Sequence, residues 1–336
     1  MADGVVALAA HLDPETSIER TLLSFGPQGC ARSVSQAEAT HYCHRLARSR
    51  YENFPVLSAL VPKGMRDGFA AVYAFCRWSD DLADELGIAG PQRQRALRLL
   101  GWWRTELDRC FEGTAEHPVF VALRPVIERH GLHAKPFHDL ITAFEQDQSQ
   151  TRYATWDELL GYCKGSADPV GRLVLGLGGF GDGRDARGYD ELYEMSDATC
   201  TALQRVNFWQ DVRRDREERD RIYLPVDVTG IDDRTLIDWS QSGDDPSVRA
   251  KYLESIEPLM DRTEELFERG RGLPRHLGSG LGPVVWAFNA AGRHLCRSIR
   301  SMSCATLWGR PTVSKRAKAT LLGRAAIGRI YGGALR

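Results

Sequence analysis

The 336-residue sequence has no run of 18 or more apolar residues, which excludes an ordinary membrane-spanning helix. It has no excess of one charge either: 44 Lys and Arg stand against 45 Asp and Glu, for a net charge of −1. Bulk positive charge therefore does not mark it as a nucleic-acid binder, and no nucleic-acid partner is expected. None of its eight cysteines forms a C-x-x-C pair, and their spacings are wide. That argues against a zinc site built from cysteine pairs and against a disulfide framework. Most of the cysteines read as small buried residues in a reducing compartment. Asp3 precedes the short apolar stretch Val5 to Ala10, where a secretion signal would carry Lys or Arg, so a cytoplasmic location is expected. Strand-like alternation is absent, and no sheet is expected.

What remains is 43% hydrophobic and 26% charged residues, enough for a sizeable core. The pattern is helical almost throughout. Segments at Val34 to Ser49, Gly64 to Leu86, Gln92 to Phe111, His117 to His130 and Lys135 to Gln148 read as helices, the last two joined at Gly131. Further segments are Thr155 to Phe180, Gly188 to Arg213, Pro246 to Arg269, Leu281 to Ser303 and Val313 to Ile330. Pro91 and the capping box Thr155-Trp-Asp-Glu158 mark two helix starts. Composition does not shift enough to support a domain boundary. We expect one all-α domain over 35–330, preceded by a partly disordered extension, 1–34. The run Gly176-Leu-Gly-Gly-Phe-Gly181 satisfies G-x-G-x-x-G, but it follows a helix rather than a strand and reads as a helix terminus. The pairs His41/His44 and His130/His133 share helix faces but no complete ligand set surrounds them. They read as solvated histidines.

Two acidic stripes carry the chemistry. In Val72-Tyr-Ala-Phe-Cys-Arg-Trp-Ser-Asp-Asp-Leu-Ala-Asp-Glu85, helical spacing places Tyr73, Arg77, Asp80 and Asp84 on one polar stripe, with Asp81 and Glu85 beside it. Like charges one turn apart need a positive partner. In Gln204-Arg-Val-Asn-Phe-Trp-Gln-Asp-Val-Arg-Arg-Asp215, the residues Gln204, Asn207, Asp211 and Asp215 form a second stripe on a helix that carries Val206, Trp209 and Val212 opposite. A solvated acidic face explains either stripe alone. Two of them, each set in aromatic and apolar residues, suit Mg²⁺. This hard ion takes one or two carboxylates and fills its other positions with water and phosphate oxygens. Across a helical cavity the pair would hold Mg²⁺ around a diphosphate, with Arg77, Arg213, Arg214, Arg219 and Arg221 adding contacts. Arg216 to Asp220 reads as an exposed salt-bridged turn or lid.

These residues resemble the squalene/phytoene synthase family. Tyr73 to Asp84 looks like its first aspartate-rich motif, and Asn207 to Asp215, followed by Arg221-Ile-Tyr-Leu-Pro225, looks like its second. Tyr162-Cys-Lys-Gly-Ser-Ala-Asp-Pro-Val-Gly171 is similar to its central segment, and Glu52-Asn-Phe-Pro55 to its substrate-contacting segment. The resemblance runs from about Ser35 to Lys318 and looks most like the bacterial hydroxysqualene synthase branch. Relatives that form phytoene or presqualene diphosphate usually have Arg where this chain has Gln210. The resemblance implies an isoprenoid synthase-type helical bundle with a central cavity. It implies presqualene diphosphate as substrate, ionised with Mg²⁺ as cofactor, rearranged and captured by water to give hydroxysqualene. The alternative within the family is a head-to-head synthase acting on farnesyl diphosphate. A non-catalytic assembly factor is the remote alternative.

The resemblance also assigns roles. Asp80, Asp84, Asp211 and Asp215 are expected to bind Mg²⁺, with Asp81 and Glu85 in or next to its coordination sphere. Tyr73, Arg77, Tyr162, Gln204 and Asn207 map onto catalytic positions, and Asn53, Phe54, Arg77, Arg221 and Tyr223 onto substrate contacts. Two departures stand out. Cys304-Ala-Thr-Leu307 lacks the tyrosine that relatives commonly carry, and Asp220 stands where they have glycine. The hydrocarbon product implies transient contact with a membrane surface; Arg310, Lys315, Arg316 and Lys318 either serve that contact or form a solvated helix start. Other squalene-pathway enzymes are possible partners.

Overall fold

The computed structural model describes residues 17–29, 33–50, 60–181, 188–243 and 245–331. The all-α expectation holds. Among the described residues the only β pairing is an isolated bridge between Arg152 and Ile222. The chain forms two compact units, one of residues 1–149 and 173–188, the other of residues 150–172 and 189–336. Of the expected N-terminal extension, residues 1–16 and 30–32 lie outside the described residues, and Ile18–Phe25 forms a helix, α1.

The first unit continues with α2 (Gln36–Arg50), α3 (Arg66–Asp84), α4 (Gly90–Glu112), α5 (Pro118–His130) and α6 (Ala134–Gln146). Pro91 sits in the first turn of α4. Gly131 ends α5 at φ 60, a left-handed cap that glycine adopts freely. The core is aromatic. Trp78 of α3 stacks on Trp103 of α4 at 5.3 Å between ring centroids. His117 meets both edge-on, at 4.5 and 4.8 Å. Burial holds the His117 ring neutral, with its pKa pushed down to about 3. Its Nδ1 accepts the Val119 N–H at the start of α5. Tyr42 and Ser79 hydroxyls accept the Trp78 and Trp103 indole N–H groups. These bonds leave no buried indole donor of the pair unpaired, and they fix the roll of α3 and hence the direction of its acidic stripe.

The segment expected as one helix from Thr155 is two, α7 (Trp156–Ser166) and α8 (Asp168–Leu177). The capping box at Thr155 is present. Gly179 and Gly181 follow α8 with positive φ, so the glycine run is a helix terminus, as read. The second unit adds α9 (Asp190–Gln210), α10 (Val212–Arg219), α11 (Val226–Thr229), α12 (Asp233–Gln241), α13 (Pro246–Arg269), α14 (Leu273–His276), α15 (Gly278–Ser301) and α16 (Lys315–Tyr331). α11 and α12 lie between the segments read as helices at Gly188 to Arg213 and Pro246 to Arg269. The core of this unit forms where α9, α13 and α15 pack. Trp209 of α9 donates to Thr263 of α13 at 2.9 Å. Gly292 lets α15 approach α13, since a Cβ there would lie 2.3 Å from the Phe267 ring.

Among the described residues no three His, Cys, Asp or Glu side chains gather as a metal cage, and the described cysteines are free thiols. His44 is bound to Asp67 at 2.7 Å. No described helix is long and apolar enough to cross a membrane.

Candidate active site

The first acidic motif occupies the last two turns of α3. Tyr73, Asp80 and Asp84 are half-buried, while Asp81 is buried. Arg77 supplies the positive partner that the spacing demanded. Its guanidinium meets Asp80 at 3.0 Å, Glu85 at 2.9 Å, and Asp81. Burial works against the charged guanidinium, but Asp81, Asp80 and Glu85 together raise its pKa above the ordinary arginine value. Burial pushes Asp81 up to about 7, against the pull of Arg77 and with the help of Glu85. Asp81 thus serves chiefly to anchor Arg77, leaving Asp80 and Asp84 as the more accessible carboxylates. Arg77 Nε is buried and has no hydrogen-bond partner among the described residues. It is a donor free for an anionic oxygen.

The second motif corrects the sequence reading. Its stripe is not carried by one helix. α9 ends at Gln210, Asp211 links the helices with φ −108 and ψ 18, and α10 starts at Val212. Gln204 is half-buried and Asn207 exposed on the last turns of α9, and Asp215 is buried on α10. Arg310, 99 residues further on, grips both Asp211 oxygens, through Nε and through Nη2 at 3.1 Å. Gln210 Nε2 donates to the Pro311 carbonyl at 2.6 Å. Arg219 pairs with Asp215 at 3.0 Å. Burial pushes Asp215 up to about 6, with Arg219 pulling it down and Asp211 pushing it up. Of the arginines expected on a diphosphate, Arg213 and Arg214 instead pair along α10 with Glu217 and Glu218. Arg221 is buried beside Asp215, whose carbonyl its N–H reaches at 3.0 Å.

Asp220 adopts φ 55, a left-handed conformation that suits glycine and, next best, Asn or Asp. Arg152 holds it there, donating to its carbonyl at 2.7 Å and its carboxylate at 2.8 Å. The Asp-for-Gly departure is therefore stabilised by one arginine. Cys304 is buried in the turn after α15, and a phenol stands near it: Tyr252 of α13 hydrogen-bonds Thr306 at 2.8 Å.

Tyr162 and Tyr223 join an aromatic cluster. Phe208 stacks on Tyr223 at 3.9 Å and 9°. Tyr162 lies 5.7 Å from Tyr223 and 6.1 Å from Phe208, and Tyr153 lies 5.7 Å from both tyrosines. Tyr153 and Phe208 were missed from the sequence; Phe208 stands within the second motif itself, and that position was the available signal. Asn53 and Phe54 lie outside the described residues. The donors on both motifs are carboxylate oxygens, which fit Mg²⁺ as a hard ion. Two acids per motif, Asp80 and Asp84 half-buried on the first and Asp211 half-buried and Asp215 buried on the second, form no closed cage, which fits its habit of keeping water and phosphate oxygens as ligands.

The squalene/phytoene synthase family profile matches residues 35–317. This chain belongs to the squalene/phytoene synthase family. It is 36% identical to the hydroxysqualene synthase of Zymomonas mobilis, over 66% of this chain and 69% of that one. It is 34% identical to the hydroxysqualene synthase of Rhodopseudomonas palustris, over 75% and 80%. The 15-cis-phytoene synthase of Synechococcus elongatus is 29% identical over 76% and 81%. Among solved structures, squalene synthase HpnC from Alicyclobacillus acidocaldarius superposes with a TM-score of 0.66 at 38% identity, covering 81% of this chain and 97% of that one. A dehydrosqualene synthase shares the fold, with a TM-score of 0.68 at 23% identity over 87% and 96%. The squalene/phytoene synthase described here is an enzyme of the isoprenoid synthase type.

Proposed function

We propose that the enzyme converts presqualene diphosphate and water to hydroxysqualene and diphosphate. The observation that carries this reading is Gln210. Condensing two prenyl diphosphates brings two diphosphate groups to the enzyme, whereas presqualene diphosphate carries one. Where family members that form presqualene diphosphate or phytoene usually have a cationic Arg, this chain has a neutral amide, buried and tied to the Pro311 carbonyl. The second motif accordingly has one charge fewer for a second diphosphate. The identity with two relatives named hydroxysqualene synthases supports the same reading.

Asp80 and Asp84 on one motif, and Asp211 and Asp215 on the other, would hold Mg²⁺. Bound Mg²⁺ supplies Lewis-acid charge that offsets the negative charge of the departing diphosphate. Arg77 donates to diphosphate oxygens through its unpartnered Nε, and Arg221 adds a second guanidinium. Asp81 and Glu85 keep Arg77 in place while it does so. Departure of diphosphate leaves a cyclopropylcarbinyl cation, which rearranges to a linear C30 cation. Tyr73, Tyr162, Phe208 and Tyr223 present π faces and phenols that stabilise positive charge by roughly 0.5–2 kcal/mol per well-placed ring. Gln204 and Asn207, both uncharged, contact diphosphate or cation without adding a base that would divert it by proton loss. Capture by water, with loss of one proton, gives the alcohol.

The test is product analysis of purified protein with Mg²⁺ and either presqualene diphosphate or farnesyl diphosphate as sole substrate. Hydroxysqualene from the first and nothing from the second is expected. Turnover of farnesyl diphosphate alone would make the enzyme a head-to-head condensing synthase instead.

A further inference from the structure

The near-zero net charge conceals a segregation along the chain. Residues 269–336 contain thirteen Lys and Arg and not one Asp or Glu, which leaves 31 basic against 45 acidic residues in the first 268. In the second unit this acid-free stretch builds α14, α15 and α16, and with the end of α13 it lines a groove of about 1050 Å³. Six arginines face that groove: Arg269, Arg271, Arg275, Arg293, Arg297 and Arg324. Four carboxylates of α13 line it too, Asp261, Glu264, Glu265 and Glu268, and they answer only some of the charge. Glu268 takes Arg271 at 3.2 Å and Arg293 at 2.6 Å, while Asp261 and Glu264 take Arg300. Among the described residues, Arg269, Arg275 and Arg297 meet no carboxylate within ion-pair distance. All three are exposed. Apolar surface lies beside them. Arg324 sits over the Trp286 ring at 5.3 Å, Leu321 lines the groove, and Ile327 on the same helix is 57% exposed. Arg316 is exposed at the other end of α16. Arg310, expected to join this basic set, is instead committed to Asp211.

We propose that the groove and the exposed side of α16 dock the protein on a bilayer of anionic phospholipid. Guanidinium groups bind phosphate oxygens in a bidentate fork. Several of them, spread over separate helices and set beside an exposed aliphatic side chain, match a surface that offers many phosphates and an apolar layer beneath them. A single small anion would answer one or two of these arginines and leave Ile327 unexplained. The inference does not depend on which prenyl product the enzyme forms.

Flotation of the full chain with vesicles tests it. Binding to vesicles of equal phosphatidylglycerol and phosphatidylcholine is expected, with none to phosphatidylcholine alone, and it should fall several-fold between 50 and 500 mM salt as the shortened Debye length screens it. Arg275→Gln/Arg297→Gln should weaken binding by about tenfold, and Ile327→Asp should weaken it on its own. Arg95→Gln/Arg98→Gln, which removes two exposed arginines of α4, should leave it unchanged. Far-ultraviolet circular dichroism checks that each variant is folded. Equal binding to both vesicle types, or an Arg275/Arg297 variant that binds as wild type does, would overturn the proposal. So would complete displacement by millimolar inorganic phosphate at constant ionic strength, which would make the groove a site for a small anion.

Discussion

The two aspartate motifs look alike in sequence and are built differently. The first is a local device. Its acids and the arginine that balances them lie within nine residues, on the end of one helix whose roll is set by the Trp78–Trp103–His117 cluster. The second is assembled from afar. Asp211 sits in a break between helices and takes its cation from Arg310, Gln210 is tied to Pro311, and Arg152 holds the turn at Asp220. The same spacing of carboxylates is thus held by helix geometry in one unit and by long-range contacts in the other. The first motif should tolerate changes elsewhere in the chain. The second should respond to changes in distant segments.

The strongest way to break this contrast acts on both motifs at once. Asp80→Asn/Asp84→Asn and Asp211→Asn/Asp215→Asn should each lower kcat by on the order of 10³-fold or more, because each removes charge that acts on the developing diphosphate. Helical content measured by circular dichroism should stay near wild type. Loss from only one pair would mean that the two motifs are not chemically equivalent.

The arginines should separate by stability. Arg77→Ala leaves Asp81 buried without its partner and should cost about 3 kcal/mol in denaturant unfolding. Arg310→Ala removes an ion pair whose arginine is half-exposed and should cost no more than about 1 kcal/mol, while its effect on kcat should be far larger than its effect on Tm. Comparable losses of stability would erase the local-versus-distant distinction.

The two units should also differ in the sign of their pH dependence. His117 in the first unit is held neutral, so the unfolded chain binds the extra proton and wild type loses stability as pH falls from 6.5 towards 3. Asp168 in the second has its pKa raised to about 7, chiefly by burial, so wild type loses stability as pH rises from 4 through 7. Relative to His117→Asn and Asp168→Asn, these slopes should approach about 1.4 kcal/mol per pH unit, with opposite signs. Thermal unfolding across the pH range measures both. Smallest of all, Asp220→Gly trades the bonds to Arg152 for a residue at ease with positive φ, and should move stability by less than about 1 kcal/mol.

The all-α architecture was legible because apolar periodicity and punctuation repeat along the chain. The capping box at Thr155, Pro91 at the start of α4 and Gly131 at the end of α5 are local signals with local causes. Tyr73, Arg77, Asp80 and Asp84 were legible for the same reason, since a helix places residues three and four apart on one face whatever surrounds it. The break at Asp211 was not. No Gly or Pro marks it, and the groups that bind there come from residues 310 and 311. The pairing of Arg310 with Asp211 and the stacking of Phe208 on Tyr223 were invisible for the same cause, as was the arginine groove of the second unit.

Sequence alone determined that this chain is helical, that it carries two pairs of aspartates one helical turn apart with arginine nearby, and that its motifs resemble those of the squalene/phytoene synthases. The first two follow from spacing along a backbone with a fixed helical pitch, and the third from the residues and order of the motifs. Tertiary structure decided that Arg310 neutralises Asp211, which carboxylates are buried, and which arginines meet no carboxylate. These are settled by distances between residues far apart in the chain, which no short-range pattern encodes.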